Sequence, residues 1–150
     1  MTPATLAEPP SPARPRVTTR VDDQPVAATH TFGSPRHGAE LCFRGVVRGT
    51  EAGRPIRGIR YTAYLPMAQA TLRAMADEVA AEHPEALVHI HHTVGEVGAG
   101  QASVLIAVAT PHSAEAFAVS LELLRRLKAE APIWKEPLPG PGSLETPPAP

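Results

Sequence analysis

The sequence predicts an α+β domain in which helices pack on a largely antiparallel sheet, and three observations carry that prediction. Strand-like runs occur at residues 39–48, 56–64 and 86–94, apolar residues recur at helical spacing after Pro66 and after Pro111, and residues 102–110 are continuously apolar. In chain order this is two strands, a helix, two strands and a helix, with no internal repeat. A length of 150 residues suits one domain with one core.

The ends differ from the middle. Of 18 prolines, seven precede residue 36 and seven fall from Pro132 onward. Residues 1–15 and 137–150 lack periodic hydrophobicity and bury too little to offset ordering, so both are expected to be Pro-rich mobile tails around a folded unit at 16–136. Within that unit, Val17–Val21 reads as an edge strand and Asp23 as the cap of a short helix through Phe32, followed by a turn at 33–38. Leu41, Phe43, Val46 and Val47 mark a strand that ends at Arg48, with a bulge or close approach expected at Gly45. After a loop, Ile59, Tyr61 and Ala63 share one side of a second strand, and the two strands read as a hairpin.

Pro66 suits a first helical turn, and Leu72, Met75, Ala76 and Val79 continue the helix toward Pro84. In residues 86–94, Val88, Ile90, His92 and Val94 alternate with Leu87, His89, His91 and Thr93, giving a strand with one histidine-rich face. GEVGAG reads as a turn, since it lacks the strand-to-helix context of a phosphate loop, and 102–110 as a central strand. The last helix presents Ala116, Phe117, Ser120, Leu123, Leu124 and Leu127 on one face.

Fourteen basic against fifteen acidic residues leave no global field to recruit nucleic acid or an anionic membrane, so any anion site must be local. No apolar run approaches the roughly 20 residues of a membrane span, and the N-terminus lacks a signal-peptide core. A single cysteine, Cys42, excludes an intrachain disulfide framework and reads as a small core residue, so a reducing cytoplasm is expected. His89 and His91 share a face without an identifiable third ligand, and neither a metal nor a cofactor is expected.

RRLKAEAPIWKE, residues 125–136, is the informative stretch. Leu123, Leu124 and Leu127 pack the end of the helix while Lys128 reaches past its edge, and Pro132 forces the chain to turn before Lys135. Two cations therefore converge across a helix exit. The plainer alternative is that Lys128 complements the helix C-terminus and Lys135 is solvated surface. Arg44 and Arg48 share a strand face unless the bulge shifts them.

FRGVVRG at 43–49, YTAYLPMA at 61–68, HTVGEVGAG at 92–100, SVLIAVATPHSAEAF at 103–117 and RRLKAEAPIWKE together resemble, in order and spacing, the catalytic (large) subunit of molybdopterin synthase, the MoaE family. The resemblance implies an α/β hammerhead fold and a sulfurtransferase. Two sulfurs would pass from the thiocarboxylated Gly-Gly tail of a small ubiquitin-like carrier subunit to cyclic pyranopterin monophosphate, giving the dithiolene of molybdopterin. It also implies a homodimer within a heterotetramer.

Lys128 and Lys135 match the family's catalytic lysines. Arg48 and His112 match its pocket arginine and histidine, with Ser113 beside His112 where arginine is usual. Thr93, Thr62, Gly49, Thr50 and Glu136 are further departures. Lys128 is left as acid/base or transient nucleophile, with Lys135 and Arg48 holding anions. The alternative function is a non-catalytic module that binds the carrier tail without pterin chemistry.

Overall fold

Ten elements follow one another: β1 (Val17–Asp22), β2 (Ala39–Val46), β3 (Thr50–Glu51), β4 (Arg54–Ala63), α1 (Leu65–Glu82), β5 (Leu87–Thr93), β6 (Gly95–Gly98), β7 (Ala102–Thr110), α2 (Ser113–Glu130) and β8 (Ile133–Pro139). The computed structural model describes residues 14–141, so the expectations for residues 1–13 and 142–150 lie outside the described residues.

The larger sheet has the order β1-β5-β7-β2 and is antiparallel except for the β1–β5 pair. Each residue of β7 is buried, as the apolar run at 104–109 within it requires of a strand covered on both faces. On one face Val88, Ile90, Val104, Ile106 and Val108 meet Leu72, Met75 and Val79 of α1 and Val119, Leu123 and Leu127 of α2. Pro66 lies in the first turn of α1, where its missing N–H costs nothing. Glu115 in the first turn and Lys128 in the last turn of α2 both complement the helix dipole.

A smaller sheet holds β3, β4 and β6, and β8 also pairs with β4. Here the expected hairpin between the first two long strands is corrected. β2 pairs with β7, and β4 is hairpinned instead to the two-residue β3. Ala52 (φ 50°) and Gly53 (φ 76°) form that turn, both with the positive φ that a tight two-residue hairpin demands. What diverts the chain is the irregularity between Gly45 and Val46, after which the Val47 amide donates to the Gln101 carbonyl (2.9 Å) and leaves the β2 ladder.

Four other expectations are corrected. No helix forms after Asp23, whose neighbour Asp22 instead accepts the Gln24 amide and bonds to Arg20 and His91, so residues 23–38 run irregularly. Part of the GEVGAG turn is strand β6, pressed so close to β4 that a Cβ at Gly58 would lie 2.4 Å from the Val97 carbonyl oxygen. The folded unit does not end at residue 136, because β8 continues to Pro139 and buries Leu138, while Trp134 is exposed. On α2, Phe117 is 64% exposed; the buried stripe runs through Ala116, Val119, Leu123 and Leu127, and Phe117 is turned about 100° from Ala116.

Candidate functional site: a cationic cleft at the exit of α2

Where α2 ends, the two sheets leave a cleft of about 720 Å³ between them. Its walls come from Arg44, Gly45 and Arg48 at the end of β2, Glu51 of β3, Tyr61 of β4, His92 of β5, Leu124, Leu127 and Lys128 of α2, and Ile133 and Lys135 of β8.

Each cation is positioned by a local rule. Lys128 follows the buried Leu127 in the last helical turn, so its stem lies along the packed edge while its head is exposed. Ala131 is extended (φ −69°, ψ 124°), as the residue before Pro132 must be, and the chain reverses into β8. Lys135 sits directly across from Tyr61 in the β4–β8 register, and this alternation aims Ile133 and Lys135 into the cleft and Trp134 away from it. Arg48 follows the β2 irregularity, which brings it to the same cleft as Arg44. The Lys135 ammonium lies 3.6 Å from a Glu51 carboxylate oxygen, and with the lysine exposed the pair is worth about 1 kcal/mol or less.

Floor and walls differ in chemistry. His92 is buried, its ring edge-on to Tyr61 with 5.2 Å between centroids, and its Nδ1–H donates to the Thr93 carbonyl at 2.7 Å. Burial holds His92 below its ordinary pKa range, in the neutral form.

Of the residues expected at a site, Arg48, Lys128 and Lys135 are brought together. His112 and Ser113 are not: they are exposed at the opposite end of α2, about 24 Å from Lys128 along the helix axis at 1.5 Å per residue. Thr93 is buried and Thr62 exposed, and neither lines the cleft. Cys42, expected in the core, is exposed on the outer side of β2 and bonds to the His30 carbonyl (3.3 Å).

His89 and His91 lie outside the cleft on the other face. His89 bonds to Thr18 (2.7 Å) and stacks on His30 with 4.0 Å between centroids, and His91 bonds to Asp22 (2.7 Å). The sequence signal overlooked was His92, the polar residue in the otherwise apolar Val88, Ile90, Val94 series.

Fold and cleft together define an α+β domain with a cation-lined cleft assembled at a helix exit. The family model for the MoaE protein matches residues 18–130, and the chain belongs to that family. Similar proteins include a molybdopterin synthase catalytic subunit of Aspergillus niger, 37% identical over 112 residues (75% of this chain, 62% of that protein), and one of Nostoc, 39% identical over 101 residues (67% and 61%). The chain thus spans less than two thirds of those relatives' length.

A crystal structure of molybdopterin synthase from Staphylococcus aureus superposes with a TM-score of 0.73 at 29% identity, covering 81% of this chain and 91% of that one. A complex of subunits 1 and 2 of molybdopterin-converting factor from Helicobacter pylori contains a chain of the same fold, with a TM-score of 0.60 at 16% identity, covering 86% of this chain and 92% of that one.

Proposed function

We propose that this chain is the catalytic subunit of a molybdopterin synthase, transferring sulfur from the thiocarboxylated C-terminus of a small ubiquitin-like carrier to cyclic pyranopterin monophosphate. The observation that carries the reading is the gathering of Arg44, Arg48, Lys128 and Lys135 around one cleft in a chain whose formal net charge is −1. A phosphate-bearing pterin and an anionic tail both need such local cations. The family membership and the similar proteins named as catalytic subunits support the same chemistry.

Lys128 is the residue we assign to the chemical step, as acid/base or transient nucleophile, and Lys135 and Arg48 to anion binding. Lys128 is exposed in the single chain, so the water exclusion that such chemistry favours must come from what covers the cleft. The inserted carrier tail fits that role.

His112 and Ser113 belong to the site only if a second copy supplies them, because a rigid helix holds them about 24 Å from Lys128. A homodimer bearing one carrier on each copy satisfies that geometry. The uncharged Ser113, Thr93 and Thr62 favour a second reading, a module that binds the carrier tail without turning over the pterin.

Supplying thiocarboxylated carrier and cyclic pyranopterin monophosphate separates the two. The synthase reading expects molybdopterin from the full-length carrier and none from a carrier lacking its terminal Gly-Gly. Tight carrier binding with no product would establish the binding module instead.

A further inference from the structure

The cleft presents many donors and few acceptors. Arginine and lysine side chains only donate, and Glu51, the anion of the wall, faces Lys135 at 3.6 Å. Ser103 directs its hydroxyl to the Gly45 carbonyl at 3.4 Å.

His92 differs from all of these. Because a carbonyl can only accept, the 2.7 Å contact with the Thr93 carbonyl places the ring proton on Nδ1 and leaves Nε2 as a bare lone pair. Among the described residues every fully buried side-chain nitrogen or oxygen has a partner. Nε2 has none, so it is the point at which this otherwise buried ring meets the cleft that it lines.

The edge-on contact with Tyr61 fixes the ring plane, and Tyr61 is itself fixed opposite Lys135. An uncharged acceptor is thus held in a cleft that four cations also line.

We propose that His92 is a positioning residue of the cleft, whose Nε2 accepts a hydrogen bond from an N–H or O–H on the heterocyclic part of a ligand whose anionic end is held by Arg48 and Lys135. The inference rests on the synthase reading and adds to it the polarity of the substrate: phosphate toward the cations, a donor edge of the pterin toward β5. A cationic histidine would fail in this role, since it would offer a donor where the ligand brings one. Burial keeps the ring neutral, outweighing the opposite effect of its hydrogen bond to the Thr93 carbonyl.

The test uses the full-length chain labelled with ¹⁵N-histidine. At neutral pH the His92 resonances should report the Nδ1–H tautomer, and the Nε2 signal should move when cyclic pyranopterin monophosphate is added, without any turnover. His92→Phe keeps the ring and the Tyr61 contact but removes the acceptor. It should raise the KM for the pterin about tenfold, the worth of one hydrogen bond, while carrier affinity stays unchanged. His92→Gln, which restores an acceptor, should recover part of the loss. If His92→Phe melts below the assay temperature, the tautomer and shift measurements on the wild type and the KM of His92→Gln decide the matter.

A protonated Nε2 in the free chain, a signal indifferent to the pterin, or a folded His92→Phe with wild-type KM would overturn the assignment while leaving the synthase reading intact. A wild type that neither binds the pterin nor makes product would overturn both.

Discussion

The two ends of α2 carry residues of the same expected site and sit in opposite surroundings. At the C-terminal end, Lys128 joins Arg44, Arg48 and Lys135 around a cleft floored by His92. At the N-terminal end, His112 and Ser113 are exposed, and neither lines the cleft. An 18-residue helix is too stiff and too long to bring its own ends together. One end therefore shows what a single chain brings together, and the other what it holds apart.

Mixing single variants gives the largest effect that bears on this contrast. Lys128→Ala and His112→Ala should each be nearly inactive. If each site draws Lys128 from one copy and His112 from the other, random re-pairing makes half the dimers mixed, each with one intact site of two. Activity should then return to about a quarter of wild type. No recovery, with mixed dimers verified by mass, would place both residues in one chain's site or remove His112 from it.

The next effect concerns what holds Lys135. Leu138 is buried in β8, so Leu138→Ala should lower the thermal midpoint by roughly 5–15 °C, the usual range for a buried leucine in a domain of this size. Removing residues 142–150 should move it by less than about 5 °C. The reverse order, seen by calorimetry, would mean that β8 is not what anchors this end.

A third prediction contrasts the cleft with the outer face of the larger sheet. Burial holds His30, His89 and His92 below the ordinary histidine range, His89 to about 4. The folded chain thus refuses protons that the unfolded chain takes up near 6.5, so stability is full above that value and is lost as pH falls from 6.5 toward 4. Burial raises the Asp22 pKa, but hydrogen bonds from His91, Arg20 and the Gln24 amide outweigh it, so its stabilisation is lost only below its ordinary 3.8. Thermal midpoints should fall across pH 6.5–4, and His89→Phe, which keeps a ring against His30, should flatten the fall. An unchanged slope would move the effect elsewhere.

How much of this was legible in the sequence follows from where the determining forces act. Both helices and the buried β7 were readable because their periodicity is local and strong, as in Leu72, Met75, Ala76 and Val79. The strand partners were not. β2 and β4 alternate like a hairpin pair, yet the irregularity after Gly45 and the tight Ala52–Gly53 turn send them to different sheets. β6 and β8 were missed because GEVG and IWKEPLP are short and interrupted by glycine or proline, and their strand signal is weak until β4 pairs with them. Lys128, Lys135 and Arg48 were legible as cations at element ends. That His112 lies elsewhere was not, because proximity in a motif does not show that the 18-residue α2 separates it from Lys128.

The smallest effect returns to the N-terminal end of α2. Ser113→Arg restores a cation beside His112 and should lower the KM for the pterin about threefold, in keeping with one exposed charge contact of under 1 kcal/mol. A KM that does not move would separate this helix end from phosphate binding.

The most direct measurement of the central claim compares Lys128→Ala and Lys128→Arg with wild type in the defined sulfur-transfer assay, with carrier binding followed in parallel. Both variants should fold, since the Lys128 head lies outside the packed stripe, and both should lose product formation by at least about a hundredfold, because alanine removes the amine and arginine cannot release a proton at working pH. Arginine restoring wild-type turnover would reduce Lys128 to an anion contact, and an unimpaired alanine variant would contradict the assignment of this cleft as the site of sulfur transfer.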